Sequence, residues 1–174
     1  MLRLLLVSGV APLFLVAGAA ASPPVPEAAC TAPGELPAAL ASWASPAFLK
    51  AAPNYKSSRH SPLIPGKAAV ISLLQTPKVD YPVRPEKPGG TVSFGGVLRF
   101  TVPDEGVWRV ALSTAAWVDV VKDGQASTSI AHGRGPACTG IRKMVDYRLA
   151  PGTYALQIAA NGSETVTLMV AHLP

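Results

Sequence analysis

Apolar and polar residues alternate along the chain from about residue 90 to the end. Leu98, Phe100 and Val102 are apolar, whereas Arg99 and Thr101 between them are polar. Successive side chains of a β-strand point to opposite faces, so each such stretch predicts a strand with one apolar and one mostly polar face. The same alternation recurs in four later stretches: Trp108/Val110/Leu112, Val145/Tyr147/Leu149, Tyr154/Leu156/Ile158 and Val166/Leu168/Val170.

Turn sequences separate these predicted strands. They are Asp104-Glu105-Gly106, Asp123-Gly124, Pro151-Gly152 and Asn161-Gly162. Short alternating strands with turns at this spacing, and no strand–helix–strand order, predict an all-β fold: an antiparallel β-sandwich or jelly roll over residues 67–174. Asn161-Gly162-Ser163 also matches a glycosylation acceptor, but Asn-Gly between two alternating runs is a strong hairpin signal, and we favour the hairpin.

The N-terminal third has a different pattern. A cationic start, an apolar run and small residues predict a signal peptide over residues 1–21. Residues 22–66 are rich in Pro and Ala, with a short helix predicted over residues 35–44 from the spacing of Leu36, Leu40 and Trp43. Residues 52–66 predict an exposed loop, and the prolines of residues 76–90 predict an extended segment at a sheet edge.

Charge narrows the classes of partner. The 174 residues include 15 Lys and Arg against 10 Asp and Glu, and signal cleavage would remove Arg3. The basic residues are scattered, without the stripe and interleaved aromatics of a nucleic-acid binder. We therefore expect no nucleic-acid partner and no stable membrane insertion after signal removal. An anionic envelope polymer or a protein partner fits the charge better.

Cys30 and Cys138 are the only cysteines. In the periplasm or outside the cell, an even pair predicts a disulfide, which would hold the N-terminal segment against the β-sandwich. A reactive or metal-binding thiol is the alternative, but no Cys-x-x-Cys and no histidine at ligand spacing accompanies Cys30.

No motif for catalysis stands out. Ser93 lacks the first glycine of a Gly-x-Ser-x-Gly nucleophile elbow. His60, His132 and His172 are isolated in the sequence, although they could converge in space. We predict no catalytic residue, no metal site and no cofactor.

The segment from His132 to Lys143 is the best candidate for a binding site. Its glycines allow a ligand to approach the backbone, Cys138 would fix its position, and His132, Arg134, Arg142 and Lys143 could bind an anion or a sugar acid. The alternative is a flexible connection between two strands. Asp119 is a second candidate, because an acid among apolar residues needs a partner if it is buried.

Several segments resemble a family of small exported bacterial proteins of unknown function. They are Cys30-Thr31-Ala32-Pro33, Leu36-Pro37-Ala38-Ala39-Leu40, Pro85-Glu86-Lys87-Pro88-Gly89-Gly90, His132-Gly133-Arg134-Gly135-Pro136-Ala137-Cys138 and Gly140-Ile141-Arg142-Lys143. Some members carry the label homogentisate 1,2-dioxygenase, but enzymes of that activity are larger cupin proteins with a His, His, Glu iron site. This chain does not reproduce that motif, so we transfer no catalytic residue. Separately, Leu149-Ala150-Pro151-Gly152-Thr153-Tyr154 is similar to the last hairpin of accessory β-sandwich domains of secreted peptidases.

The sequence is compatible with three functions. The leading hypothesis is a periplasmic or secreted, non-catalytic β-sandwich that binds an envelope ligand or partner. The alternatives are a small metal-dependent dioxygenase, suggested by the three histidines and the family label, and a purely structural envelope protein.

Overall fold

The computed structural model describes residues 30–174, and the predicted signal peptide lies outside this range. Eleven strands form the framework of the described chain: β1 Ala47–Lys50, β2 Ala69–Ser72, β3 Leu74–Gln75, β4 Phe94–Val102, β5 Gly106–Leu112, β6 Trp117–Lys122, β7 Gln125–Ala126, β8 Ser129–Gly133, β9 Lys143–Leu149, β10 Gly152–Asn161 and β11 Thr165–Leu173. Short 3₁₀ helices cover Ala38–Ala44, Ser57–His60 and Thr76–Lys78.

The strands form two sheets packed face to face. Sheet A has the order β1-β2-β11-β5-β9-β8, and sheet B has the order β3-β4-β10-β6-β7. All neighbouring pairs are antiparallel except β1 and β2, which are parallel. The predicted all-β sandwich is therefore confirmed.

The core between the sheets is built from the apolar faces that alternation predicts. All five predicted apolar triplets are buried in one cluster, with Leu98 and Leu112 fully inaccessible and Trp108 4% exposed. At roughly 25 cal/mol per Å² of apolar surface removed from water, this cluster is the main stabilising contribution to the fold. The alternation therefore predicted correctly which face of each of these five strands is buried.

The outer face of sheet A is covered by the first 3₁₀ helix. Leu40 and Trp43 pack on Ala111 and Met169 in a second buried cluster. The predicted helix over residues 35–44 forms only over Ala38–Ala44, and it is a 3₁₀ helix rather than an α-helix. Pro37 takes the N-cap position, so the helical residues begin directly after it.

The outer face of sheet B is covered by residues 79–83, so the predicted edge segment over residues 76–90 is wrong. Val79, Tyr81 and Val83 pack against a buried cluster on β4, β6 and β10. The Tyr81 hydroxyl donates to the Ile158 carbonyl at 3.0 Å. Gln157, fully buried, accepts from the Val83 amide at 3.3 Å and donates to its carbonyl at 3.0 Å. Prolines remove backbone N–H donors from this segment, so it cannot pair as a regular strand. The Tyr81 and Gln157 side chains provide hydrogen bonds between the segment and the sheet instead.

The four turn sequences play two different roles. Asp123-Gly124 joins the paired strands β6 and β7, and both residues have positive φ, as a two-residue hairpin requires. The other three connect a strand of one sheet to a strand of the other. The hairpin prediction at Asn161-Gly162 is therefore wrong, because β10 and β11 lie in different sheets.

Asn161 is fully buried at the crossing between the sheets. Its Nδ2 donates to the Ser163 and Thr165 carbonyls at 2.6 and 3.1 Å, and its Oδ1 accepts from Thr114 at 2.6 Å. These bonds replace the backbone pairs that a hairpin would supply. A side chain in this position is inaccessible for glycosylation in the folded protein.

Residues 47–66 contribute more to the sandwich than their composition predicts. Strand β1 was not predicted, and it extends sheet A beyond β2. Ser58 and Leu63 in the predicted exposed loop are buried, and Leu63 bonds through its amide to the Arg99 carbonyl at 2.7 Å. Within residues 30–174, no helix has the length and apolar character needed to cross a membrane.

Candidate functional site

The predicted disulfide is confirmed and ties the N-terminal segment to the loop between β8 and β9. Cys30 and Cys138 are bonded, with their Cα atoms 5.5 Å apart. Beside this bond, the Gly34 amide donates to the Cys138 carbonyl at 2.8 Å. A side chain at Gly34 would collide with the Ala137 carbonyl, so only glycine allows this close approach.

The loop of residues 134–142 is anchored at several further points. The Thr139 hydroxyl donates to the Pro136 carbonyl at 2.7 Å, and the Trp43 indole donates to the Thr139 carbonyl at 3.0 Å. The Arg142 amide donates to the Leu112 carbonyl of β5 at 2.8 Å. Ile141 is buried in the cluster beneath the first 3₁₀ helix. The loop is thus fixed to both the N-terminal segment and sheet A.

A cavity of about 260 Å³ lies within this loop. Arg134 and Arg142 both line it, together with the disulfide and Ser113, which directly follows β5. Both arginines are exposed. The rest of the loop that lines the cavity has no charged side chain and consists of Gly135, Pro136, Ala137, Gly140 and Ile141. The two guanidinium groups are therefore the charged groups of the lining.

The structure separates the other two predicted residues from this cavity. His132 lies on β8, an edge strand of sheet A in which all five residues are exposed, and it does not line the cavity. Lys143 opens β9 on the inner face, as shown by Val145 on the same side. Its Nζ donates to the Ala116 carbonyl at 2.9 Å, away from the arginines.

Lys143 belongs to a polar cluster centred on Trp117. The Nζ atoms of Lys143 and Lys87 each lie 5.4 Å from the centroid of the Trp117 ring. Asp119 accepts from the Trp117 indole at 2.9 Å and from Gln157 at 2.7 Å, so the acid that the sequence singled out has partners. Burial, followed by the charge of Lys87, lowers the pKa of Lys143, and Asp119 partly opposes this effect.

Neither Lys87 nor Trp117 is expected from the sequence as a site residue. Lys87 lies in the Pro-rich segment and reaches Trp117 only because that segment folds over sheet B. A tryptophan two residues before an acid, on the same face of a strand, was the one local signal available.

A surface pocket of about 560 Å³, larger than the cavity of the β8–β9 loop, lies elsewhere on the protein. Trp108 and His172 line it, with their ring centroids 4.8 Å apart, alongside mostly apolar residues. Its lining includes no Lys, Arg, Asp or Glu side chain, so it offers little to orient a charged ligand.

The three histidines are dispersed in the fold. His132 on β8 and His172 on β11 are three strand positions apart in sheet A, or about 14 Å at the usual strand spacing. His60 ends the second 3₁₀ helix and accepts a bond from Arg59. Over residues 30–174, no group of three or more His, Cys, Asp or Glu side chains could hold a metal ion.

Ser93 has a structural role in a turn. Its hydroxyl donates to the Gly90 carbonyl at 2.8 Å and lies 2.9 Å from the Thr76 hydroxyl. Neither partner is a base that could activate a nucleophile.

Comparison with known proteins gives no relative from which a function could be inferred. No protein-family model matches the chain, and no curated protein matches it.

Proposed function

We propose that this chain is an exported, non-catalytic binding protein whose ligand places an anionic group in the cavity of the β8–β9 loop. The observation that carries the proposal is the convergence of Arg134 and Arg142 on one cavity of about 260 Å³. A guanidinium offers several N–H donors in a planar arrangement that fits a carboxylate or phosphate. Two such groups on an anchored loop suit the recognition of an anion with little ordering cost.

The composition of the cavity favours an acidic polysaccharide over a protein partner. Protein interfaces depend on a few large apolar or aromatic anchors. The exposed large apolar side chains of the described chain all lie outside this cavity: Phe48, Tyr55, Ile64, Val92 and Ile130. A hydrated sugar acid needs charge and hydrogen bonds more than such anchors. The overall excess of basic residues acts in the same direction.

Two features support export to the periplasm or the medium. The N-terminal apolar run predicts a cleaved signal. The Cys30–Cys138 disulfide is a bond that persists in oxidising compartments. An acidic polymer of the cell envelope would be accessible there.

The test is direct binding of oligogalacturonate, a carboxylated sugar chain, by isothermal titration calorimetry. Replacing both Arg134 and Arg142 with Ala should weaken binding at least tenfold, because charge-assisted hydrogen bonds are worth more than neutral ones. Wild-type binding should also weaken as salt rises, since exposed charges are screened over about 8 Å at physiological ionic strength.

A matched control removes the same charge elsewhere. Arg59 and Arg148 are exposed and do not line the cavity. Their double replacement with Ala should leave affinity within about twofold, because remote exposed charges act only through the screened overall field. Equal losses in the two double variants, or no binding by the wild type, would overturn the proposal.

A further inference from the structure

Trp117 lies against two lysine side chains. Lys87 and Lys143 approach its ring from different parts of the fold, each with Nζ 5.4 Å from the ring centroid. Among residues 30–174 the single ion pair within 4.0 Å is Arg109–Asp146, so neither lysine is paired in this way.

The nearby acid is already engaged by other groups. Asp119 accepts hydrogen bonds from Trp117 and Gln157 through its two carboxylate oxygens. Burial is the largest effect that lowers the pKa of Lys143, the charge of Lys87 adds to it, and the charge of Asp119 opposes it in part. The two ammonium groups repel each other, and an anion bound between them would offset this repulsion by attracting both. The aromatic ring offsets only part of that cost.

This cluster and the arginine-lined cavity lie on either side of one connection. Ser113, at the start of the β5–β6 connection, lines the cavity, and the Ala116 carbonyl at its end accepts the bond from Lys143. Arg142 and Lys143 are adjacent in sequence, with Arg142 in the cavity lining and Lys143 directed to the cluster. A ligand with anionic groups at intervals could therefore reach both positions.

We propose that Lys87 and Lys143 form a second anion subsite, so that the ligand is a polyanion that spans the β5–β6 connection. The inference rests on the proposed function, because the first anionic group occupies the arginine-lined cavity. Lys143 has three N–H donors and uses one on Ala116, which leaves donors for an anion. Lys87 is exposed and can adjust to the position of the ligand.

The experiment compares galacturonate with hexagalacturonate as probes. Lys87→Gln with Lys143→Gln removes both charges while keeping an N–H donor on each side chain. We expect hexagalacturonate to bind this variant about five- to tenfold more weakly than wild type, as two partly exposed charge contacts would suggest. Binding of the galacturonate monomer, followed by NMR titration, should change less than twofold. Lys87→Gln alone, at an exposed position, should give a smaller loss without any effect on folding.

Lys50→Gln with Lys67→Gln is the matched control, since both lysines are exposed and make no contact with Trp117. It should bind hexagalacturonate as wild type does. A parallel titration with hexametaphosphate distinguishes phosphate from carboxylate polymers, and the lysine pair should matter for whichever polymer binds.

The outcomes separate the two proposals. If the arginine variant loses binding and the lysine variant binds the hexamer as wild type does, the second subsite is wrong and the proposed function stands. If the lysine variant loses monomer and hexamer binding equally, the lysines belong to the first site and the second subsite is also wrong. If neither variant alters wild-type binding, both proposals are wrong.

Discussion

Arg109 and Asp146 face each other across β5 and β9 and form a two-point ion pair on the outer face of sheet A. The Nε and Nη2 groups of Arg109 donate to the two carboxylate oxygens at 2.7 and 2.8 Å. Asp146 is only 8% exposed. Hydrogen bonding to Asp146 raises the pKa of the Arg109 guanidinium. A buried carboxylate thus depends on one arginine for its charge partner.

Replacing Arg109 with Ala should lower the free energy of unfolding by about 2 kcal/mol, because it leaves a largely buried carboxylate without its partner. Alternation alone predicts a much smaller effect, since Arg109 lies on the polar face of its strand. Trp108→Ala, on the core face, should cost about 3 to 5 kcal/mol. Urea denaturation at pH 7 measures both.

Arg148→Ala is the control, because Arg148 is an exposed arginine on β9. Its effect should stay within about 0.5 kcal/mol. If Arg109→Ala were as mild as this control, the ion pair would contribute nothing to stability.

The core between the two sheets was predictable from the sequence, whereas the packing on the outer face of sheet B was not. Alternation is a local pattern, and it assigned Leu98, Trp108 and Leu156 to the core correctly. The covering of the outer faces depends on distant segments. Nothing near Tyr81 indicates that its hydroxyl will reach Ile158.

The candidate site was likewise predictable only in part. Arg134 and Arg142 belong to one short loop, so glycines and a cysteine were enough to place them together. Lys143 is adjacent to Arg142, but strand alternation turns it to the other side. Its neighbour Lys87 comes from a remote loop, and only the fold brings the two together.

Asn161→Ala should lower the free energy of unfolding by about 2 to 3 kcal/mol. The substitution removes three hydrogen bonds from a fully buried side chain and leaves the Thr114 hydroxyl and two carbonyls without this partner. Thermal denaturation measures the change. Ser163→Ala also destroys the glycosylation sequence but keeps every Asn161 bond, because Ser163 accepts through its backbone. Equal destabilisation by the two substitutions would show that the amide bonds are not responsible.

Tyr81 should make stability fall at alkaline pH. Burial raises the pKa of Tyr81 from 10.0 to about 12, against an opposing hydrogen bond from Thr76. Below pH 10 the phenol is protonated in both states, so its contribution is fully present. Between pH 10 and 12 the unfolded state loses the proton first, and that contribution is lost.

Tyr81→Phe removes this titration. The stability difference between wild type and Tyr81→Phe should therefore shrink from pH 9 to pH 12, by about 1 kcal/mol once solvent screening of a half-buried group is allowed for. Urea denaturation across this pH range measures the difference. A constant difference would mean that Tyr81 ionises alike in the folded and unfolded states.

Replacing both Cys30 and Cys138 with Ser should lower the free energy of unfolding by on the order of 4 kcal/mol, because the bond closes a loop with a sequence separation of 108. Denaturation of the oxidised wild type and the double variant measures this. The intact mass of the oxidised wild type should lie about two daltons below that of the reduced protein, since forming one disulfide removes two hydrogens. Two free thiols after non-reducing alkylation would contradict the bond.

Trp43→Phe should weaken oligogalacturonate binding several-fold by releasing the arginine-bearing loop rather than by removing a ligand contact. Phenylalanine keeps an aromatic ring in the cluster but cannot donate to the Thr139 carbonyl. The loop then loses an attachment next to the cavity, and binding carries the entropy cost of ordering the loop.

Trp108→Phe is the matched control, because the Trp108 indole donates to the Asp104 carbonyl at a turn that does not line the cavity. It should reduce stability while leaving affinity, measured by calorimetry, close to that of wild type. If both substitutions reduced affinity to the same extent, general destabilisation rather than anchoring of the loop would account for the loss.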